Sequence, residues 1–83
     1  ALELYPNPAT TELRLQVVDQ TTGNFNVSIW NMAADLVFQE QIYLDGQHGL
    51  FVLDVAHWPA GTYRLLCKGD TEEIVKSFVI SSH

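Results

Sequence analysis

The chain has 83 residues, a length that forms one domain, residues 1–83, with a modest core. Ten acidic and four basic residues give a formal net charge of −6 at pH 7, and the dispersed basic residues do not form the positive surface that nucleic acid binding requires. No apolar run approaches the roughly 18 to 20 residues needed to span a bilayer, and the single cysteine, Cys67, excludes an internal disulfide.

The first predicted strand, Leu2–Tyr5, leads into the segment Tyr5-Pro6-Asn7-Pro8. Each proline fixes its φ at about −65° and favours an extended conformation in the residue before it. The side chain of Asn7 is expected to hydrogen-bond to local backbone. We expect this rigid segment to set the angle at which the chain enters a second strand at residues 11–18, where apolar and polar residues alternate.

Five further blocks combine period-two alternation with β-branched or aromatic residues, and none shows a sustained helical stripe. Turn formers separate the blocks, including a predicted turn at 19–24, where Gly23 can take a positive φ, and a predicted loop at 45–49. The five predicted strands are residues 25–30, 36–44, 50–55, 63–67 and 73–80. Seven short strands at this spacing predict an all-β fold, a β-sandwich.

The segment that enters the sixth predicted strand indicates which kind of sandwich this is. Trp58-Pro59-Ala60-Gly61-Thr62-Tyr63 resembles a tyrosine corner, in which the tyrosine hydroxyl bonds to upstream backbone and fixes the crossing between sheets. Gly61 permits a backbone conformation that a Cβ would hinder. We therefore expect a seven-stranded immunoglobulin-like antiparallel β-sandwich, although the same residues would also suit a generic turn before a core tyrosine.

The residue types that carry catalysis or bind metals are scattered along the chain. The three histidines and Cys67 fall in different segments, whereas a transition-metal site needs three or four clustered ligands. No serine or cysteine lies in a recognised nucleophile context, and the adjacent acids Glu72 and Glu73 are typical of a solvated strand edge. The sequence therefore predicts no enzyme, with no catalytic, cofactor or metal site, and Cys67 is expected to be a small buried hydrophobe.

Three elements follow one another along the chain: the Tyr5-Pro6-Asn7-Pro8 opening before a strand, Gly61-Thr62-Tyr63, and the closing strand Val75-Lys76-Ser77-Phe78-Val79-Ile80. In this order they resemble the type IX secretion C-terminal sorting domain, type A, of certain Gram-negative bacteria, over nearly the whole chain. Members commonly carry a glycine after the third strand, where this sequence has Ala34-Asp35, and Asp35 is expected to tolerate left-handed geometry there.

The resemblance implies that the domain directs an upstream cargo through the outer-membrane type IX translocon. Many members are then cleaved by a sortase-like peptidase, and the cargo is attached to anionic lipopolysaccharide, so the domain is a substrate and needs no cofactor. Its route is the periplasm in transit and then the outer-membrane surface or the exterior. The residues implied in recognition are Pro6, Asn7, Pro8, Gly61, Tyr63, Lys76, Phe78, Val79 and Ile80.

Because the sequence begins without an export signal of its own, it is interpreted as the carboxyl-terminal end of a longer exported protein. Our hypothesis for recognition is that the last strand lies near a sheet edge, where a translocon component adds a strand and pockets bind Phe78 and Val79. The same edge would permit strand exchange between two copies and thus a homodimer.

The alternative function is a retained immunoglobulin-like module. Such a module would bind a cell-envelope protein or glycan through its aromatic residues Trp30, Tyr43 and Trp58, although packing inside the fold is the default role for them. A third function, a small hydrolase, ranks last because no catalytic constellation is present in the sequence. The presence or loss of residues 61–80 in the mature surface protein separates the retained module from the sorting signal.

Overall fold

Alternating apolar and polar residues form strands throughout the described part of the chain. The computed structural model describes residues 2–17, 22–45 and 49–81, without the Val17 side chain. Within these ranges lie seven strands in the predicted order. They are β1 (Leu2–Tyr5), β2 (Glu12–Val17), β3 (Thr22–Trp30), β4 (Leu36–Asp45), β5 (Leu50–Asp54), β6 (Gly61–Lys68) and β7 (Glu73–Ile80).

The seven predicted strands are confirmed, and their described ends differ from the prediction by at most three residues. The largest difference is at β3, which begins at Thr22 because its backbone pairing with β4 continues beyond the apolar alternation that starts at Phe25. Gly23 has the expected positive φ, 130°, but it lies inside β3. The turn predicted at 19–24 is therefore wrong for residues 22–24, which belong to β3, while residues 19–21 and the middle of the predicted loop at 45–49 lie outside the described residues.

The strands pair into two antiparallel sheets. One sheet has three strands in the order β1-β2-β5, and the other has four in the order β4-β3-β6-β7. The inner faces of the two sheets share one hydrophobic core, so the molecule is an antiparallel β-sandwich. Among residues 2–17, 22–45 and 49–81, no helix is long and apolar enough to cross a membrane.

The core is formed by the residues that alternate inward along each strand. In β6, Tyr63, Leu65 and Cys67 are buried, whereas the intervening Arg64 is exposed. The period-two pattern of the sequence therefore corresponds to an inner and an outer face. The buried apolar residues are Leu2, Ala9, Leu13, Leu15, Phe25, Val27, Ile29, Leu44, Leu53, Val55, Tyr63, Leu65, Cys67, Phe78 and Ile80.

The four-stranded sheet ends at β4 on one side and at β7 on the other, and each edge strand carries a charge at a core-facing position. Glu40 lies opposite buried Val27, and Lys76 lies opposite buried Leu65. Side chains of residues directly opposite each other project from the same face of a sheet, so Glu40 and Lys76 are both on the inner face. Both side chains are nevertheless exposed to solvent. An inward-facing charge at an edge opposes pairing with another chain, because such pairing would bury it.

Candidate recognition site at the last strand

The last strand, β7, is an edge strand that pairs with β6 along its whole length. The register places Gly61 opposite Ile80 and Tyr63 opposite Phe78. The Gly-x-Tyr element and the closing strand, which lie some distance apart in the sequence, are therefore direct neighbours in one pair of strands.

The tyrosine corner at the start of β6 is confirmed. The Tyr63 hydroxyl donates a hydrogen bond to the carbonyl oxygen of Pro59, 2.6 Å away. The Tyr63 ring stacks on Phe78, with centroids 5.5 Å apart, and lies 5.4 Å from the Trp58 ring. Gly61 takes a φ of 151°, which L side chains rarely adopt, although a Cβ there would meet nothing within 4 Å. The backbone conformation, and not close packing, therefore favours glycine at this position.

The proline-bracketed opening lies along the outer side of β7. The backbone N–H of Ala9 donates to the carbonyl oxygen of Val79, and the N–H of Ser81 donates to the carbonyl oxygen of Ala9, both at 2.8 Å. The side-chain oxygen of Asn7 accepts the N–H of Val79 at 3.0 Å. Ala9 is fully buried. We call residues 7–9 the clasp, because they cover the carboxyl-terminal part of the β7 edge.

The clasp corrects one expectation from the sequence. The prediction that Asn7 hydrogen-bonds to local backbone is wrong, because its partner Val79 lies 72 residues further along the chain. The amide oxygen accepts whichever donor the fold brings within reach, and the edge of β7 presents one there. Both the Tyr5–Pro6 and the Asn7–Pro8 peptide bonds are cis, a conformation that the sequence does not predict.

Before the clasp, the outer edge of β7 is open. Backbone groups of alternate residues in a strand point to the same side. Because Val79 bonds outward to the clasp, Ser77 and Val75 also direct their N–H and C=O groups outward. Neither finds a hydrogen-bond partner on that side within the part of the chain that the structure describes. We call residues 75–77 the open edge.

The residues implied in recognition divide into an exposed group and a buried group. Phe78 is 1% exposed, so a partner cannot reach its side chain while the domain is folded, whereas Val79 is 40% exposed. The exposed group is Pro6, Asn7, Pro8, Gly61, Lys76 and Val79, and the buried group is Tyr63, Phe78 and Ile80. The buried side chains hold β7 on the core, and direct contact with a partner is limited to the exposed group.

Comparison with known protein families identifies the chain. The sequence model of the family described as "Secretion system C-terminal sorting domain" matches residues 3–81. The chain belongs to this family. The resemblance to the type IX sorting domains is therefore confirmed, and it implies an upstream cargo, a secretion machinery and export towards the outer membrane or cell surface.

A solved structure shows the same fold as this sorting domain. The crystal structure of a DUF3244 family protein from Bacteroides vulgatus ATCC 8482, described as having an immunoglobulin-like β-sandwich fold, is similar to it with a TM-score of 0.74. The match covers 94% of this chain and 81% of the other, at 19% sequence identity. It confirms the predicted immunoglobulin-like β-sandwich. No curated protein matches the sequence.

Within the described ranges, no three histidine, cysteine, aspartate or glutamate side chains are grouped so that they could hold a metal ion. Cys67 is buried on the inner face of β6, and burial together with the charge of Glu72 raises the pKa of its thiol to about 11. At neutral pH the thiol is therefore protonated, which makes it a poor nucleophile.

The three aromatic residues considered for glycan or protein binding do not share one patch of the sorting domain. Trp58 packs against the core beside Tyr63. Trp30 lies at the end of β3, whereas Tyr43, 65% exposed, pairs with Asn24 near the beginning of that strand. An aromatic surface built from these three residues is therefore absent from the fold.

The connection between β3 and β4 differs from the sequence prediction. The positive φ, 65°, is at Ala34, so the expectation that Asp35 takes the left-handed conformation is wrong. The side-chain oxygen of Asn31 accepts the N–H groups of Ala33 and Asp35, at 2.9 and 3.0 Å, and its backbone oxygen accepts the N–H of Ala34 at 3.1 Å. These bonds fix the turn around Asn31 and place the left-handed residue one position earlier.

Proposed function

We propose that the translocon recognises this sorting domain in its folded form, by adding a strand at the open edge, and so exports the upstream cargo. The observation that carries the proposal is the set of outward, unpartnered backbone groups of Val75 and Ser77 in the described part of the chain. An extended segment of a translocon component would hydrogen-bond to these groups, as β6 does on the other side of β7.

Side chains next to the open edge give the added strand its specificity. Val75 is 54% exposed and Val79 is 40% exposed, and both project from the outer face because they alternate with core-facing Phe78. A partner strand would place apolar side chains beside these two valines. The Lys76 side chain projects from the inner face, where strand addition would bury its charge. A partner strand with an acidic residue beside Lys76 neutralises this charge, whereas a strand without one leaves it unpaired.

The clasp determines where the added strand ends. The outward N–H and C=O groups of Val79 are already bonded to Asn7 and Ala9. The added strand therefore pairs with residues 75–77 and stops at the clasp. The opening motif and the closing strand, which lie at opposite ends of the sequence, thus form one recognition surface.

The domain itself acts as a substrate of the export machinery and not as an enzyme. After passage through the outer membrane, a sortase-like peptidase removes the domain and the cargo is anchored at the cell surface. The support for a substrate role is the family membership, together with the buried and protonated state of Cys67. Mass spectrometry of the mature surface protein tests this step, because peptides from residues 61–80 are absent after cleavage and present in a retained module.

The experiment that tests strand addition is a proline substitution at position 77. Because the N–H of Ser77 points away from β6, Ser77→Pro removes a donor from the open edge while the pairing with β6 is kept. The chain is fused to a reporter with a periplasmic signal peptide in a type IX-competent host. We expect the Ser77→Pro fusion to remain in the periplasm and the Ser77→Ala fusion to be exported like the wild type.

Folding of each purified variant is checked by circular dichroism and thermal unfolding. Val75→Pro, which removes the other outward N–H, is the second variant in case Ser77→Pro does not fold. Export of a folded proline variant at the wild-type level would show that the open edge is not where the translocon binds.

A further inference from the structure

A cleft of about 390 Å³ lies between the end of β3, the β3–β4 turn and β6. Its lining residues are Trp30, Asn31, Met32, Ala34 and Arg64. Trp30 and Arg64 are directly opposite each other in the β3–β6 pair, so their side chains emerge next to each other on the outer face of the four-stranded sheet. This volume is in the range of about 300 to 1,000 Å³ that is usual for ligand sites. We call it the turn cleft.

Arg64 makes the turn cleft a positive site on an acidic domain. The whole chain has a net charge of −6, yet none of the described residues that line the cleft is acidic. Arg64 forms no ion pair with any residue of the described ranges, whereas Arg14, on the other sheet, bonds to Glu12 at 2.9 Å. A guanidinium group beside an indole suits a carboxylate, which accepts two parallel N–H donors from it.

Asn31 offers a second donor at the same place. Its side-chain oxygen is occupied by the N–H groups of Ala33 and Asp35, which fixes the orientation of the amide. The amide NH₂ group has no acceptor within the described residues and remains available to a ligand. The Arg64 guanidinium and the Asn31 amide can therefore bind the two oxygens of one carboxylate.

Met32 extends the surface beyond the size of a single carboxylate. Met32 is 76% exposed and also lines a second depression of about 370 Å³, together with Val37, Pro59 and Gly61. The two depressions share Asn31 and Met32, so one extended ligand can occupy both. Arginine, tryptophan and methionine are enriched in protein interfaces, and the flexible thioether of methionine adapts to different apolar partners.

We propose that the turn cleft binds a peptide segment of a partner protein that carries an acidic residue next to an apolar one. The acidic side chain bonds to Arg64 and Asn31, and the apolar side chain lies against Met32 in the second depression. The inference does not depend on strand addition, because the turn cleft lies on the face of the sheet and the open edge lies at its border.

The proposal is tested by selecting short random peptides, displayed on phage, against the immobilised chain. We expect the wild-type chain to enrich peptides in which aspartate or glutamate adjoins an apolar residue. Arg64→Gln should bind these peptides at least about tenfold more weakly, a loss of about 1.4 kcal/mol. Arg14→Gln is the matched control, because it removes an arginine that is already paired with Glu12, and it should bind like the wild type.

Nuclear magnetic resonance locates the bound peptide. A selected peptide should shift the indole N–H signal of Trp30 and the methyl signal of Met32, and it should leave the methyl signals of Leu50, on the three-stranded sheet, unchanged. Replacing the acid of the peptide by its amide should weaken binding as much as Arg64→Gln does. The proposal is overturned if no peptide is enriched, if the enriched peptides lack an acid, or if a folded Arg64→Gln chain binds them as well as the wild type.

Discussion

The side-chain oxygen of Asn7 accepts the backbone N–H of Val79 at 3.0 Å, across 72 residues of sequence. This bond joins the opening segment to the last strand. With the two backbone bonds of Ala9, it covers the carboxyl-terminal part of the β7 edge and leaves residues 75–77 open. The position of the clasp thus defines the part of the last strand that a partner can pair with.

The clasp can be weakened by Asn7→Ala, which removes the acceptor for the Val79 N–H. We expect a loss of about 1 kcal/mol in the free energy of unfolding, the usual net contribution of one hydrogen bond. Hydrogen exchange at the Val79 amide should become faster in the variant. Asn7→Asp is the control, because it keeps an acceptor oxygen at the same place. Unchanged exchange at Val79 in Asn7→Ala would mean that the bond does not hold the clasp.

The buried thiol of Cys67 predicts a pH dependence of stability. The folded state raises the pKa of Cys67 from 9.0 to about 11, so the unfolded chain loses this proton first as the pH rises. The stabilisation is therefore complete below about pH 9 and is lost between about pH 9 and pH 11, by roughly 2 to 3 kcal/mol at the upper limit.

This pH dependence is measured as the difference between the wild type and Cys67→Ala in urea unfolding. Other groups titrate in the same range, but they are common to both proteins. We expect Cys67→Ala to be less stable at pH 7, because it leaves a cavity, and to lose less stability between pH 9 and pH 11. Parallel curves for the two proteins would contradict the raised pKa.

Ala34 occupies a left-handed position that glycine adopts without strain. An L residue in this conformation costs about 1 to 2 kcal/mol, and the greater freedom of glycine in the unfolded chain offsets about 0.5 to 1 kcal/mol of the gain. We expect Ala34→Gly to stabilise the domain by about 0.5 to 1 kcal/mol in thermal or chemical unfolding. Ala33→Gly, in the same turn, is the control and should not stabilise. A less stable Ala34→Gly domain would refute the strained turn.

Lys76 is expected to limit association between copies of the domain, because edge pairing would bury its charge. Lys76→Val should therefore form dimers or larger species at concentrations where the wild type remains a monomer, as measured by sedimentation velocity. Lys68→Val is the matched control, since it removes the same charge from the inner strand β6. The homodimer by strand exchange stays a prediction, and a wild-type dimer in this measurement would favour it over the protective role of Lys76.

The fold could be predicted because apolar and polar residues alternate along each strand, which distinguishes its buried face from its exposed face. The bounds of β1 and β7 were predicted to the residue, since each strand shows a clear alternation that ends at turn formers. The alternation in β7 also predicts that Phe78 and Ile80, two residues apart, project from the same face, and both are buried in the core. The family resemblance drew attention to Phe78 as a recognition residue, and burial limits that role to a structural one in the folded domain.

The site could be predicted only in part, because its contacts depend on strand order. The motifs at Asn7 and Val79 were both found, but their hydrogen bond follows from how the opening segment passes beside β7. The turn cleft was not predicted, since Trp30 and Arg64 meet only because β3 pairs with β6. The left-handed residue of the β3–β4 turn was misplaced by one position because the bonds to Asn31 set the turn.

The central claim is that residues 1–83 form a sorting signal for type IX export. The most direct test is the cellular location of a reporter protein fused to this chain. The reporter carries a periplasmic signal peptide and this chain at its carboxyl terminus, and its distribution between periplasm and exterior is measured in a type IX-competent host and in the same host without the translocon. We predict that the reporter reaches the exterior only in the competent host. Retention in the periplasm of the competent host, or equal release from both hosts, would contradict the account.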